Sequence, residues 1–557
     1  MKSKNRFSRR LTATVGASAL LLLAGCADST RDSGDSGDGG DTGEGGTSGG
    51  TFIFAGSADP VTLDPFFASD GESFRPARQI FEGLVGTKPG TADPAPLLAT
   101  SWETSEDGLT NTFQLQEGVK FHDGTDFNGT AACWNFDRWY NTPPGPGQTE
   151  DQAYYWISLF KGFAEGELTD SVYESCTVES ESEITVKLTE PFAGFVAALS
   201  LPAFSMQSQA AIEKYGATGD ADPSQSDYAT LHPTGTGPFV FESWEKENQI
   251  VLTRNDDYWG EPALLDQVQI VPIAEPKARA DALLAGEVDG FDLVGPADIP
   301  RLEDEGYQIA DRPAFNILYL GMNQAVKPLD DIRVRQAIAY AIDKDAVISA
   351  SMPEGTEPAL EFVPETVDGY TTDVTTYDYD PEKAKELLAE AGAEDLELEF
   401  NYPTDVTRPY MPSPGDTFNA IRSQLEAVGI TVNPTADVWD PDYLDKISGS
   451  KDHGIHLLGW TGDYNDTDNF LGVFFGRKSS EWGFDNPKLF SALTEARGLP
   501  TVEEQIPVYE DINRQVMDFL PGVPLASPVP SLAFAPNVKG YVPSPVQDEP
   551  WNLVSVE

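Results

Sequence analysis

Between Ala27 and Gly50 the chain is built almost wholly of Asp, Ser, Gly, Thr and Glu and contains no large apolar residue. Such a stretch cannot bury a core, so it reads as a disordered tether over residues 26–50, separating a short leader from one long foldable part. Everything that packs must begin at Thr51, and no second low-complexity gap occurs before Glu557. The expectation is one compact, multi-lobed body rather than domains on strings. The leader carries Lys2, Lys4, Arg6, Arg9 and Arg10 ahead of an apolar run from Leu11 to Ala24. That run is shorter than the ~20 residues a membrane-spanning helix needs. Cations, a short greasy segment and small residues in that order form a cleaved export signal, here residues 1–25, which leaves Cys26 at the new N-terminus.

Acidic residues outnumber basic ones 91 to 36, and the net charge of −55 becomes −60 once the five cations of the signal are removed. A surface this anionic repels nucleic acid and anionic headgroups and keeps the protein soluble, so no nucleic-acid partner and a monomer are expected. Beyond Cys26 only Cys133 and Cys176 remain, a candidate disulfide in an exported chain. The four histidines, at 122, 232, 453 and 456, are too few and too scattered for a metal cluster, and no metal or cofactor is expected. Strand alternation in HGIHLLGW would put His453 and His456 on opposite faces, as structural residues. A hydrolase is disfavoured, because from Thr51 onward there is no Gly-x-Ser-x-Gly elbow and no His-Glu-x-x-His.

Strands and helices alternate irregularly, which gives a mixed α/β class. TFIFAG at 51–56 has strand character; Phe113 with Leu115, and Ile184 with Val186 and Leu188, mark two half-buried strands. FVFESWEKENQIVLT reads as a hairpin turning at 246–248. Asp380 followed by Pro381, an apolar face of Leu387, Leu388 and Ala391, and a stop at Gly392 define a helix. Others are expected over 331–343, over 416–428 before Gly429, and over 502–519, where Ile506, Tyr509, Ile512, Val516 and Phe519 form a stripe.

A set of segments in fixed order resembles the family 5 solute-binding proteins of bacterial ABC importers. These are DPVTLDP at 59–65, QIFEGLV at 79–85, SWETSEDGLTNTFQLQEGVKFHDG at 101–124, GTGPF at 235–239 and NDDYWG at 255–260. VRQAIAYAIDK at 334–344, YDPEKAKELLAEAG at 379–392, TRPYMP at 407–412, GWTGDYNDTDNF at 459–470 and PGVPLA at 521–526 follow. Leu23-Ala24-Gly25-Cys26 in turn resembles the lipobox of bacterial lipoproteins, which implies acylation of Cys26 and a lipid anchor on the outer face of the cell membrane. The resemblance implies a two-lobed, class II periplasmic-binding fold with an extra domain inserted in the first lobe. Lobe 1 would comprise 51–92, 234–315 and 524–557, the inserted domain 93–233 and lobe 2 316–523, with crossings near Phe315–Leu320 and Pro524–Pro528. GTGPF would turn the chain back into the first lobe, its glycines adopting conformations barred to other residues.

The family's function implies a binding receptor that performs no chemistry. Its partners would be a short peptide, the transmembrane subunits of a permease, and the membrane through the N-terminal lipid. Asp463 matches the position where peptide-binding members place a carboxylate on the ligand ammonium group. Arg408 matches the position where dipeptide-binding members hold the ligand carboxylate, for which its planar fork suits a bidentate pair. Tyr410 and Trp460 match neighbouring positions that wall side-chain pockets, and Thr461 one that adds a hydrogen bond from hydroxyl or backbone. The bland alternatives are that Asp463 caps a helix near 466–468, that Arg408 is a surface residue, and that the two aromatics are core. Receptors for nickel chelates, heme or longer oligopeptides, and a peptide-sensing lipoprotein, share the fold. The cysteine pairs of dipeptide-binding members have no counterpart here.

Overall fold

The structure, a computed structural model, describes residues 49–149, 151–217, 221–450 and 452–557, the side chains of 440 and 441 excepted. The export signal, Cys26 and the tether up to residue 48 lie outside the described residues. The first sheet already engages Gly49 and Gly50, which composition assigned to the tether. The Gly49 N–H donates to the Leu264 carbonyl and the Gly50 carbonyl accepts from Asp266 N–H. Main-chain bonds need no apolar side chain, so composition cannot report them. Among the described residues no helix is long and apolar enough to cross a membrane.

Three large sheets organise a two-lobed α/β fold with an inserted domain. The first has seven strands in the order Gln308–Asp311, Ser531–Phe534, Gly290–Phe291, Thr51–Gly56, Gln267–Pro272, Gln249–Arg254 and Phe239–Glu245. TFIFAG is central here, parallel to a neighbour on each side, and buried accordingly. The second has six strands, Glu357–Pro358, Gly522–Ser527, Asn316–Met322, Ile455–Thr461, Glu397–Pro403 and Thr431–Asp437. The third is an antiparallel sheet of Ala99–Thr104, Thr110–Leu115, Glu183–Leu188 and Tyr173–Ser180. Cys133, in helix Gly129–Tyr140, and Cys176, in the last of these strands, are joined in a disulfide with Cα atoms 5.3 Å apart.

The chain passes between the first two sheets over 312–315 and 528–530, at the ends of the ranges Phe315–Leu320 and Pro524–Pro528 near which the crossings were expected; the rest of both ranges lies in strands of the second sheet. A buried crossing and a fully buried strand present the same apolar run, and only pairing separates them. The two connections are tied together by Arg312 N–H to the Pro530 carbonyl at 2.8 Å and by Asn316 Nδ2 to the Pro528 carbonyl at 3.0 Å. Apolar packing also runs across these segments. Phe66, Phe67, Phe74, Leu84 and Val85 pack with the inserted sheet, whereas Ala211 and Tyr228 pack with the first.

Helix Pro381–Ala391 begins at an Asp380 cap and ends at Gly392 with φ 69°, and helix Val502–Phe519 buries Tyr509, Ile512 and Val516. The helix expected over 331–343 is Ile332–Tyr340, capped by Asp331 as expected and ending before 343, because Asp343 instead caps the next helix, Lys344–Ser351, by accepting from Ala346 N–H. Helix Pro414–Ala427 starts two residues before the expected Asp416, with Pro414 in its first turn. His453 precedes strand Ile455–Thr461 instead of standing in it, and its ring meets His456 edge-on with centroids 5.1 Å apart. The expected opposite faces therefore do not form. Both rings are buried, with Nε2 atoms against Glu481, and burial pushes His453 down to about 4.

Candidate functional site

In the first lobe three of the quoted segments meet at one side chain. Glu82, from QIFEGLV, is buried and accepts from Thr236 Oγ1 of GTGPF at 2.7 Å and from Tyr258 OH and Trp259 Nε1 of NDDYWG at 2.7 and 2.8 Å. Burial pushes its carboxyl up to about 7, against the pull of those donors. GTGPF needs its glycines for space, not for an unusual backbone. A Cβ on Gly235 would stand 2.2 Å from the Ile80 carbonyl oxygen and one on Gly237 2.5 Å from that of Gln79, and neither residue has positive φ. Close approach, and not the conformational freedom expected of them, fixes glycine at these two positions.

In the second lobe strands Glu397–Pro403 and Ile455–Thr461 run parallel, pairing Phe400 with Ile455 and Asn401 with His456. Their carboxyl ends therefore emerge side by side, the edge of an α/β sheet where ligands bind. The loop after the first strand carries Arg408 and Tyr410; the end of the second and the loop beyond it carry Trp460, Thr461 and Asp463. Residues over fifty positions apart are thus brought to one end of one sheet.

Asp463 keeps a partly exposed surface although protein surrounds it. Its Oδ1 accepts from Tyr155 OH of the inserted domain at 2.8 Å, and its Oδ2 from Asn469 Nδ2 at 3.1 Å. Asn469 organises the loop: its Oδ1 also takes the Asp463 N–H at 2.8 Å and the Trp460 indole N–H at 3.4 Å. Burial pushes the Asp463 carboxyl up to about 6, while the two hydrogen bonds and the more distant Arg78 pull it back. Among the described residues no cation pairs with it; Arg78 itself pairs with Asp548. A carboxylate offers about four acceptor positions, so two stay open to a donor from outside the chain. Gly462 lets the loop lie flat on the lobe, since a Cβ there would stand 2.3 Å from the Phe315 ring.

Arg408 sits in a tight turn closed by paired main-chain bonds with Met411. Its guanidinium stacks over Trp439, 4.5 Å from the ring centroid, and no described carboxylate forms an ion pair with it. Tyr410 is buried with the second-lobe core against Gly459, and burial pushes its phenol up to about 12. Thr461 Oγ1 is buried without a partner among the described residues. Cavities of about 170 Å³ beside Glu82 and about 250 Å³ beside Lys344 lie elsewhere, lined by neither Asp463 nor Arg408.

Residues 93–482 match the family described as bacterial extracellular solute-binding proteins, family 5 Middle. The chain belongs to family 5 of the solute-binding proteins. This family 5 protein is 31% identical to heme-binding protein A of Haemophilus influenzae over 98% of its own length and all of that protein. It is also 31% identical to the dipeptide-binding protein of Escherichia coli, covering 91% of this chain and 95% of the other. Among solved structures it superposes on the periplasmic binding protein DppA of Helicobacter pylori in complex with peptide STSA, with a TM-score of 0.76, 27% identity, and 92% and 99% of the two chains covered. Family 5 proteins are binding receptors.

Sequence reading missed Tyr155, Asn469 and Trp439 in this solute-binding protein. Asn469 lies within GWTGDYNDTDNF and was within reach as a helix-start residue following an acidic loop. Tyr155 and Trp439 come from other segments and carry no spacing signal that links them to Asp463 or Arg408.

Proposed function

We propose that this family 5 protein is the lipid-anchored receptor of an ABC importer, capturing short peptides, dipeptides above all, by lobe closure and presenting them to a membrane permease. Asp463 takes the ligand ammonium group and Arg408 its carboxylate; Trp460, Tyr410 and Thr461 shape the wall between. The observation that carries this reading is the Asp463 carboxylate, held by two neutral donors and unpaired with any described cation at the carboxyl end of the sheet. A zwitterion supplies the missing counter-charge, and Arg408, stacked and without a described acidic partner, supplies the opposite end. The extended rise of ~3.3–3.6 Å per residue lets the span between the two charges gauge ligand length. The dipeptide-binding relative supports this reading, as does the structure holding peptide STSA. Cys26 supplies the anchor, and the tether lets the receptor reach its permease.

Heme is the second reading, favoured by the full-length likeness to the Haemophilus influenzae protein. Calorimetry on residues 51–557 separates the two, using dipeptides, the same dipeptides with blocked termini, a pentapeptide, nickel–histidine and heme. Binding of free dipeptides that disappears when either terminus is blocked supports the peptide assignment. Indifference to blocking, or a response to heme or nickel–histidine alone, overturns it.

A further inference from the structure

The second lobe holds a lysine that the binding cleft does not use. Lys344 opens helix Lys344–Ser351 and lines the cavity of about 250 Å³ behind strand Gly522–Ser527. Its Nζ donates to the Ala359 carbonyl at 2.7 Å, the one acceptor recorded for it among the described residues, and no described carboxylate forms an ion pair with it. An ammonium carries three donors, so two remain directed elsewhere. Surface lysines here are different: Lys88, Lys120, Lys161, Lys277 and Lys478 each contact an acid.

Leu360, Met517, Leu520 and Val523 give the cavity an apolar wall. Desolvation against it disfavours the charged amine, and the positive end of the helix acts in the same direction. Burial pushes the ammonium down to about 8, opposed by Asp378. Asp343, Asp345 and Asp378 stand around the cavity and repel anionic occupants, while Tyr377 and Tyr379 bring ring faces.

We propose that Lys344 is a reactive amine and that its cavity takes small uncharged carbonyl compounds, which it captures as an imine. The neutral Nζ adds its lone pair to the carbonyl carbon, and the carbinolamine so formed loses the carbonyl oxygen as water together with both amine hydrogens. The C=O bond is exchanged for C=N with no change of oxidation state, so no co-reactant is required. The capture is independent of the peptide reading, since its residues lie outside the Asp463 and Arg408 loops.

The test is trapping on the intact protein. Substoichiometric propanal with cyanoborohydride at pH 7.5 is followed by peptide mapping, and the series is repeated from pH 6.5 to 10.5. Lys344 is expected to carry at least tenfold more propyl label than any exposed lysine, with labelling half-maximal near pH 8. Lys344→Arg should abolish that one labelled peptide and leave dipeptide calorimetry unchanged. Label spread evenly over the lysines, or a Lys344 profile rising only near the ordinary lysine range of about 10, overturns the proposal whether or not the variant folds.

Discussion

Glu82 and Asp463 are both carboxylates enclosed by protein, both held by neutral donors, and neither forms an ion pair among the described residues. They differ in where the donors come from. Glu82 takes three donors, all from Thr236, Tyr258 and Trp259, which follow the inserted segment in the chain, and leaves at most one acceptor position open. Asp463 has two, one from the helix beginning beside it and one, Tyr155, from the inserted domain. It retains acceptor capacity at a partly exposed surface. The same chemical group is fully enclosed in one place and keeps open acceptor positions at a partly exposed surface in the other, the setting that the proposed ligand role of Asp463 needs.

The widest separation between the two should appear on truncating Glu82. Glu82→Ala orphans Thr236, Tyr258 and Trp259 and should cost about 3–9 kcal/mol of unfolding free energy, at about 1–3 kcal/mol per buried unsatisfied group. Chemical denaturation measures it, and calorimetry on the folded fraction should show unchanged ligand affinity. Asp463→Asn inverts the pattern: dipeptide affinity falls by about 2–5 kcal/mol, the cost of breaking a buried charge pair, while the unfolding midpoint hardly moves. Unchanged affinity in this variant would remove Asp463 from the site.

Proton linkage sharpens the contrast. Glu82 sits at about 7 in the folded protein against 4.5 in its ordinary state, so the folded form holds a proton that the unfolded chain has released. Its contribution is full below about 4.5, declines as pH rises, and is lost beyond about 7, about 3 kcal/mol in all. Glu82→Gln should flatten that part of the stability profile. Asp463 must be ionised to hold an ammonium, so dipeptide affinity should rise with pH through about 6, and Asp463→Asn should erase the slope. The smallest effect expected is that of Tyr155→Phe. Removing a hydrogen bond that favours the charged carboxylate should move the midpoint of the affinity profile upward, with about 0.5–1.5 kcal/mol at stake. A midpoint that stays in place would mean that the Tyr155 contact does not form in solution.

Legibility in the sequence followed the range of the interaction. Helix Val502–Phe519 was readable to the residue, because its apolar stripe is a local pattern. The helix expected over 331–343 was right at its start and too long only at its end, because Asp343 serves as the cap of the following helix. His453 and His456 misled because alternation was extended past the start of the strand. Arg408 and Asp463 were named through the resemblance of their segments to family 5, yet the sequence held nothing to show that two parallel strands carry them to one edge.

By itself the sequence determined the anionic composition, the α/β class, the pair of cysteines available to bridge and the family. All of these are written in composition, local periodicity or contiguous segments. Only the tertiary structure decided where the lobes cross, that Glu82 gathers three separate segments into a lock, that Tyr155 reaches across to Asp463, and that Lys344 faces a cavity rather than an acid. The physical reason is that burial and hydrogen-bond partners between distant segments set the charge state and availability of a side chain, and those partners are chosen by packing, which no local pattern encodes.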